Sequence, residues 1–272
     1  MIPLFNLHSH TTMCDGRHTP EEMVKKAISL GCDGLGFSGH SYIERFNPPK
    51  AKKMRGEDYI AEISRLKEKY KDSLEILLGI EYDMLSELDT RGYDYIIGAV
   101  HLLDVDGEIL SVDNGEEIFV SAVNDHFGGD FYAFCKKYYQ DLSEVTEKTK
   151  CDIVAHFDLV TKFNEGNKYF DEGDSKYRNA AFECLDALLE KDPIFEINTG
   201  AIGRGYRKKP YPADFIIKRI AEKGGRMTLT TDCHDADKLL CFYVEAAELA
   251  YECGIRELYY PKNGIFVPYS IE

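Results

Sequence analysis

Six of the eight histidines in this 272-residue chain stand at or just past the C-terminal end of a short apolar run. They occur as Leu7-His8, Ser38-Gly39-His40, Val100-His101, Ala155-His156 and Asp232-Cys233-His234, with His10 two residues after His8. Glu81 ends the run Ile76-Leu77-Leu78-Gly79-Ile80 in the same way. In an extended chain, residues i and i+2 share a side. His8 and His10 can therefore aim at one ion, as can Asp232 and His234, while Ser9 and Cys233 face away. Imidazole nitrogens with carboxylate oxygens suit zinc, manganese or iron, whereas magnesium and calcium prefer oxygen cages. Six histidines with Asp15, Glu81 and Asp232 exceed the needs of one tetrahedral ion. Two or three divalent ions sharing Glu81 would use them all. A single histidine at a strand end is usually a surface residue, and His18, just before a helix cap, and His126, in a Gly-rich loop, are read that way. Cys14 and Cys233, beside these ligands, are read as bystanders.

Such a set converges only if the strand ends converge. Strand patterns fall at Pro3–Leu7, Gly34–Ser38, Glu75–Ile80, Tyr95–Val100, Asp152–Ala155, Ile194–Asn198 and Met227–Thr231, with a weaker eighth at Glu257–Tyr260. Between them, apolar residues at three- and four-residue spacing predict helices over Glu21–Leu30, Tyr59–Tyr70, Phe131–Thr146, Tyr177–Glu190, Asp214–Glu222 and Ala236–Cys253. Thr19-Pro20-Glu21-Glu22 reads as a capping box with proline at N1, and Gly31 as the residue that ends that helix. Asp235 and Gly254 bracket the last long helix in the same manner. Repeated β–α units require parallel strands with crossover helices. Seven or eight such units in one unbroken α/β chain favour a closed barrel, a single domain over residues 1–272, with its chemistry at the C-terminal strand ends.

Composition narrows the partners. The net charge of −15, from 48 acidic against 33 basic residues, is the reverse of what a phosphate-backbone binder needs, so nucleic acid is not an expected partner. A small phosphorylated substrate remains compatible, because bound divalent ions reverse the local field. The eight cysteines include no Cys-x-x-Cys pair. The N-terminal residues lack a basic, cleavable leader pattern, and no apolar run approaches the roughly 18–20 residues of a membrane span. A reducing cytoplasm is the expected location, with no membrane partner; the oligomeric state is left open.

The motifs His8-Ser9-His10-Thr11, Cys14-Asp15-Gly16, Thr19-Pro20-Glu21-Glu22 and Gly36-Phe37-Ser38-Gly39-His40 together resemble the polymerase-and-histidinol-phosphatase (PHP) family. Gly79-Ile80-Glu81-Tyr82, Gly98-Ala99-Val100-His101, Ala155-His156-Phe157-Asp158 and Thr231-Asp232-Cys233-His234 extend the likeness almost to the C-terminus. Within it, Asp94–His101 and Phe195–Gly200 are similar to the stand-alone histidinol-phosphate phosphatases. The resemblance implies a distorted (β/α)7 TIM-like barrel and up to three divalent ions. It implies His8, His10, Glu81 and Asp232 on one ion, Glu81, His101 and His156 on a second, and Asp15, His40 and His234 on a third. Cys233 departs from the small residue often found there.

The implied reaction is hydrolysis of L-histidinol phosphate, a step of histidine biosynthesis, with another small phosphoester such as a nucleotide phosphate as the alternative. A non-catalytic metal-binding module is a third reading, disfavoured by the complete ligand set. Divalent ions lower the pKa of water from about 15.7 towards about 7, so a bridging hydroxide is the expected nucleophile. Asp232, Glu81 and His234 are the expected catalytic residues, with Asp232 or a nearby histidine among the sources of the leaving group's proton. Arg204 and Arg207, in the loop after the sixth strand, and Lys162, after His156, are the candidate phosphate-binding cations. Glu44, Asp104 and Asp106 lie in loops that could receive a cationic alcohol.

Overall fold

The computed structural model describes residues 2–271. Its strands are β1 (Phe5–Asn6), β2 (Gly34–Phe37), β3 (Glu75–Asp83), β4 (Tyr95–Ala99), β5 (Leu102–Val105), β6 (Glu108–Ser111), β7 (Ile153–Val154), β8 (Ile194–Asn198), β9 (Arg226–Thr230), β10 (Glu257–Lys262) and β11 (Ile265–Ser270). Seven of these form one sheet in the order β1-β2-β3-β4-β7-β8-β9, parallel at every pairing. The ring is nearly closed by a parallel bridge between Ser9 and Cys233, in which His10 N donates to Cys233 O (2.8 Å) and Cys233 N to His8 O (3.1 Å). The two ends of the sheet thus meet at the segments that carry His8, His10, Asp232 and His234. This is a distorted (β/α)7 barrel.

The eighth run does not join the barrel. Glu257–Lys262 pairs antiparallel with Ile265–Ser270 as a separate hairpin, turned at Asn263-Gly264 with both residues at positive φ. A second hairpin, β5–β6, follows His101 and was absent from the sequence reading. Asp106 (φ 51°) and Gly107 (φ 89°) make its two-residue turn, the Asp-Gly signature of such connections. The helix expected over Phe131–Thr146 breaks into Phe131–Leu142 and Val145–Thr149. That expected over Ala236–Cys253 becomes a 3-10 turn, Ala236–Lys238, and a helix, Tyr243–Glu252, separated by Phe242 in the left-handed region (φ 55°). Asp235 caps the turn rather than the helix, accepting from Asp237 N. Further helices occupy Lys50–Met54, Glu116–Phe127 and Gly200–Arg204. Glu116–Phe127 buries Phe119, Ala122 and Val123 at helical spacing, whereas the other two are single turns of five residues.

The capping box forms as read. Thr19 Oγ1 accepts from Glu22 N (3.3 Å) and Glu22 Oε2 accepts from Thr19 N (2.8 Å), starting the helix Pro20–Ser29. Met23, Val24 and Ala27 of that helix bury against Phe37, Tyr59, Ile63 and Leu78. On the other flank, Phe134, Tyr138 and Leu142 join Tyr177, Leu185, Phe195 and Ile217 in a larger core. Inside the barrel, the Tyr95 ring fills space that Gly79 leaves; a Cβ on Gly79 would lie 2.1 Å from Tyr95 Cζ. The Tyr95 hydroxyl donates to the carbonyls of Leu7 and Phe37, tying β4 to the chain beside β1 and β2. The interior below the strand tips is therefore packed around Tyr95.

Candidate metal centre

The strand tips deliver all nine expected ligands to one place. Glu81 sits within β3 rather than beyond it, since that strand continues to Asp83, and it is 1% exposed. Its Oε1 lies 3.1 Å from His101 Nε2, 2.9 Å from His156 Nε2 and 3.4 Å from His8 Nε2. Its Oε2 lies 2.7 Å from His40 Nδ1 and 3.4 Å from His10 Nε2. Asp232 Oδ1 stands 3.2 Å from His10 Nε2 and 3.7 Å from His8 Nε2. Asp15 Oδ2 stands 3.1 Å from His234 Nε2 and 3.5 Å from His40 Nε2. The rings of His10 and His234 stack at 4.0 Å. Glu81 is thus shared around the cluster.

Three overlapping groups have ligand atoms within 4.8 Å of one another: His10, Asp15, His40 and His234; His8, His10 and Asp232; and His40, Glu81 and His101. His10 and His40 are each common to two groups.

The donors fit divalent ions on an observation independent of any likeness. His8 Nε2, His10 Nε2 and Glu81 Oε2 are buried and make no hydrogen bond, although they face other donors across 2.7–3.4 Å. Ligand bonds of about 2.0–2.2 Å place neighbouring ligand atoms roughly 3–3.6 Å apart, and the observed separations match. Buried polar atoms without partners are costly unless something satisfies them.

Electrostatics agrees. Burial opposes ionisation of Glu81, but His40, His101 and His8 outweigh it and hold the carboxyl well below its ordinary value. Burial likewise opposes ionisation of Asp232, and Arg204 and His8 overcome it. Conversely, burial lowers the pKa of His8 and His40, yet Glu196 and Glu81 raise the first well above normal, and Glu81 and Asp15 raise the second to about 9. Positive charge is thus favoured at His8, His40 and His101, whereas burial and the neighbouring His234 and His40 lower the pKa of His10.

Behind the ligands stand two carboxylates that sequence reasoning missed. Glu196 Oε2 accepts from His8 Nδ1 (2.9 Å) and Thr230 Oγ1 (2.9 Å), while Oε1 accepts from His156 N (2.6 Å) and Asn198 Nδ2 (2.7 Å). This fixes the His8 ring so that Nε2 points into the cluster. Asp83 Oδ2 accepts from His101 N (2.9 Å) and lies 3.3 Å from His101 Nδ1. A charge within the apolar run Ile194-Phe195-Glu196-Ile197 was the available signal for the first; for Asp83 it was the i+2 offset from Glu81.

Asp232 adopts φ 44°, an unusual left-handed conformation for a non-glycine residue. Gly200 permits its approach: a Cβ there would come within 2.9 Å of Asp232 Cβ. The glycine of Asn198-Thr199-Gly200 is therefore explained by the ligand it faces.

A cavity of about 470 Å³ opens over the cluster, and its wall includes Lys162 and Arg204. Lys162 Nζ donates to Asp113 O (2.8 Å) and Oδ2 (3.0 Å). Arg204 Nη1 donates to Asp232 O (3.0 Å) and Nη2 to Asp232 Oδ2 (2.9 Å), and Nη1 lies 2.8 Å from His234 Nδ1. Arg207 does not line the cavity. Its Nη1 donates to Thr161 O (2.7 Å) and to Oε1 of the partly buried Glu172 (2.8 Å), with which it forms an ion pair. Glu44, Asp104 and Asp106 also lie off the cavity wall; Asp104 instead accepts from Arg45 Nη1 (2.8 Å).

His18 and His126 stand outside the cluster. His18 Nδ1 accepts from Ala236 N (3.1 Å), and His126 falls in the helix Glu116–Phe127 rather than a loop. Cys14 Sγ lies 3.4 Å from His10 Nδ1, and Cys233 Sγ donates to Asp235 O (3.0 Å), away from the ions' expected position. Burial pushes both thiols up to about 12, and all eight cysteines are free.

A β/α barrel with a histidine–carboxylate cluster at its strand tips, under a cavity that Lys162 and Arg204 flank, defines a metal-dependent hydrolase architecture. Residues 6–200 match the PHP domain model, and the chain belongs to that family. It is 28% identical over 253 residues to the histidinol-phosphatase of Bacillus subtilis, covering 84% of this chain and 92% of that one. Among solved structures it is similar to a protein of Listeria monocytogenes, with a TM-score of 0.73, 21% identity and coverage of 89% and 99% of the two chains. It is also similar to the histidinol phosphate phosphatase of Lactococcus lactis, solved with zinc, L-histidinol and phosphate, with a TM-score of 0.66, 21% identity and coverage of 98% and 100%. These structural likenesses carry the fold. Among the described residues, no helix is long and apolar enough to cross a membrane.

Proposed function

We propose that this chain is a metal-dependent phosphomonoesterase that hydrolyses L-histidinol phosphate to L-histidinol and phosphate. The observation that carries the metal chemistry is the set of buried, unpartnered donor atoms of His8, His10 and Glu81 facing one another beneath the cavity. The choice of substrate rests on the curated relatives' activity and the ligands of the Lactococcus lactis protein.

His8, His10, Glu81 and Asp232 would hold one divalent ion, Glu81, His101 and His156 a second, and Asp15, His40 and His234 a third. Zinc, manganese and iron all suit these donors. Bound there, such ions supply an ionised water at neutral pH and withdraw charge from phosphoryl oxygens. Arg204 and Lys162 flank the same space and orient those oxygens through charge-assisted hydrogen bonds. Asp232, a carboxylate held ionised by Arg204 and His8, would receive a proton from the attacking water rather than give one to the departing alkoxide. Glu196 and Asp83 keep the His8 and His101 rings from rotating, so that little reorganisation accompanies the reaction.

The test is turnover of L-histidinol phosphate against a panel of nucleoside monophosphates and sugar phosphates under identical conditions. The proposal expects kcat/KM for histidinol phosphate to exceed the others by at least about 100-fold, the discrimination a site built for specific polar groups provides. Equal rates across the panel would leave a phosphoesterase of different specificity.

A further inference from the structure

Every acidic side chain on the cavity wall has a partner in the protein. Asp113 pairs with Lys162, Asp232 with Arg204, Asp83 receives His101 N, and Asp15 and Glu81 lie among the histidines. The basic side chains are not all matched. Arg55, which also lines this cavity, has no carboxylate within ion-pair distance among the described residues. Its Nη1 reaches only neutral oxygens, Ser41 O at 3.3 Å and Asn47 Oδ1 at 3.4 Å, and its Nε is buried with no partner. In a chain with 48 acidic and 33 basic residues, an arginine kept clear of carboxylates inside a cavity points to an external anion.

Its position says which part of a substrate it meets. Ser41 directly follows His40, whose Nδ1 lies 2.7 Å from Glu81, so the guanidinium is tied to the backbone beside the metal cluster. It reaches there from the short helix Lys50–Met54, which it ends. The segment before that helix borders the cavity through Ile43, Phe46 and Asn47, and Arg45 fastens it to the β5–β6 hairpin through Asp104 and Gly107 O.

We infer that Arg55 binds an anionic oxygen of the substrate's phosphoryl group from the side opposite the β7 and β8 loops. This inference rests on the proposed substrate, which carries its only negative charge on phosphate; its amine and imidazole ends are cationic or neutral and gain nothing from a guanidinium. Nε is closed off from the cavity, but Nη2 is neither buried nor bonded within the protein and can donate to a phosphate oxygen. The phosphoryl group would then be held by cations from three loops rather than two.

The experiment titrates inorganic phosphate and, separately, L-histidinol into the metal-loaded protein by calorimetry, for wild type, Arg55→Gln and Arg55→Lys. Gln keeps an amide able to donate to Ser41 O, and melting temperatures confirm that both variants are folded. Arg55→Gln should weaken phosphate about 10- to 100-fold, Arg55→Lys less, and neither should weaken histidinol. Unchanged phosphate affinity overturns the inference. A parallel loss for both ligands also overturns it, leaving Arg55 as a tie for the cavity border. Failure of histidinol to bind even the wild type counts against the proposed substrate, while the phosphate comparison still decides the role of Arg55.

Discussion

At the scale of residues, the centre depends on groups that touch no substrate. Glu196 is fully buried and spends both oxygens on the His8 ring, the His156 backbone N–H and the Thr230 hydroxyl. Replacing it with Gln keeps size but turns one acceptor oxygen into a donor facing other donors, and removes the charge that fixes the His8 tautomer. Glu196→Gln should weaken metal binding about 10- to 100-fold, read by competition with a chromogenic chelator. The raised imidazoles make a second, pH-dependent expectation. Burial depresses His40, but Glu81 and Asp15 lift it to about 9, above the ordinary value of about 6.5. In the metal-free protein this contribution to stability is fully present below about pH 6.5 and is lost as pH rises through about 9. Ions and protons compete for the same nitrogens. Metal affinity should therefore rise with pH over that window, and loading at pH 7 should release protons. Calorimetry in buffers of different ionisation enthalpy measures the release, and its absence would contradict the coupling.

At the scale of elements, the barrel works because its interior is filled below the tips. Gly79→Ala places a Cβ against the Tyr95 ring and should cost about 1–3 kcal/mol in urea denaturation. In a Tyr95→Ala background that penalty should vanish, a coupling visible in a double-mutant cycle. Arg207 acts similarly from outside the site: its guanidinium is mostly buried on Glu172 and Thr161 O. Arg207→Ala should lower stability by about 3 kcal/mol, by leaving Glu172 without its counter-ion, with phosphate affinity changed far less. The sequence showed the seven strands and the ligand histidines because both are periodic or positional signals: apolar runs with polar tips. It did not show Glu196 or Asp83 as outer supports, since a carboxylate in or beside a strand has no meaning until its cross-barrel neighbour is known. Arg207 was misplaced for the same reason; being in the loop after β8 does not say which way a long side chain turns. Phe242 and Ser143 interrupt helices whose apolar spacing runs on regardless.

At the scale of the whole molecule, seven parallel strands, joined by crossover helices everywhere but between β3 and β4, bring residues from 8 to 234 into one cluster. Closure at Ser9 and Cys233 joins the first and last ligand segments. An assembly stitched from distant parts of the chain binds ions only when folded, so bound metal should raise the melting temperature and chelation should lower it, by an amount that grows with the logarithm of ligand concentration over dissociation constant. The central claim is that these ions perform the hydrolysis. It is tested most directly by measuring phosphate release from L-histidinol phosphate while metal is stripped and restored, with bound metal per chain quantified at each step. Activity should disappear with the metal and return as two to three equivalents per chain are bound. Full turnover by protein holding less than about a tenth of an equivalent would contradict the account.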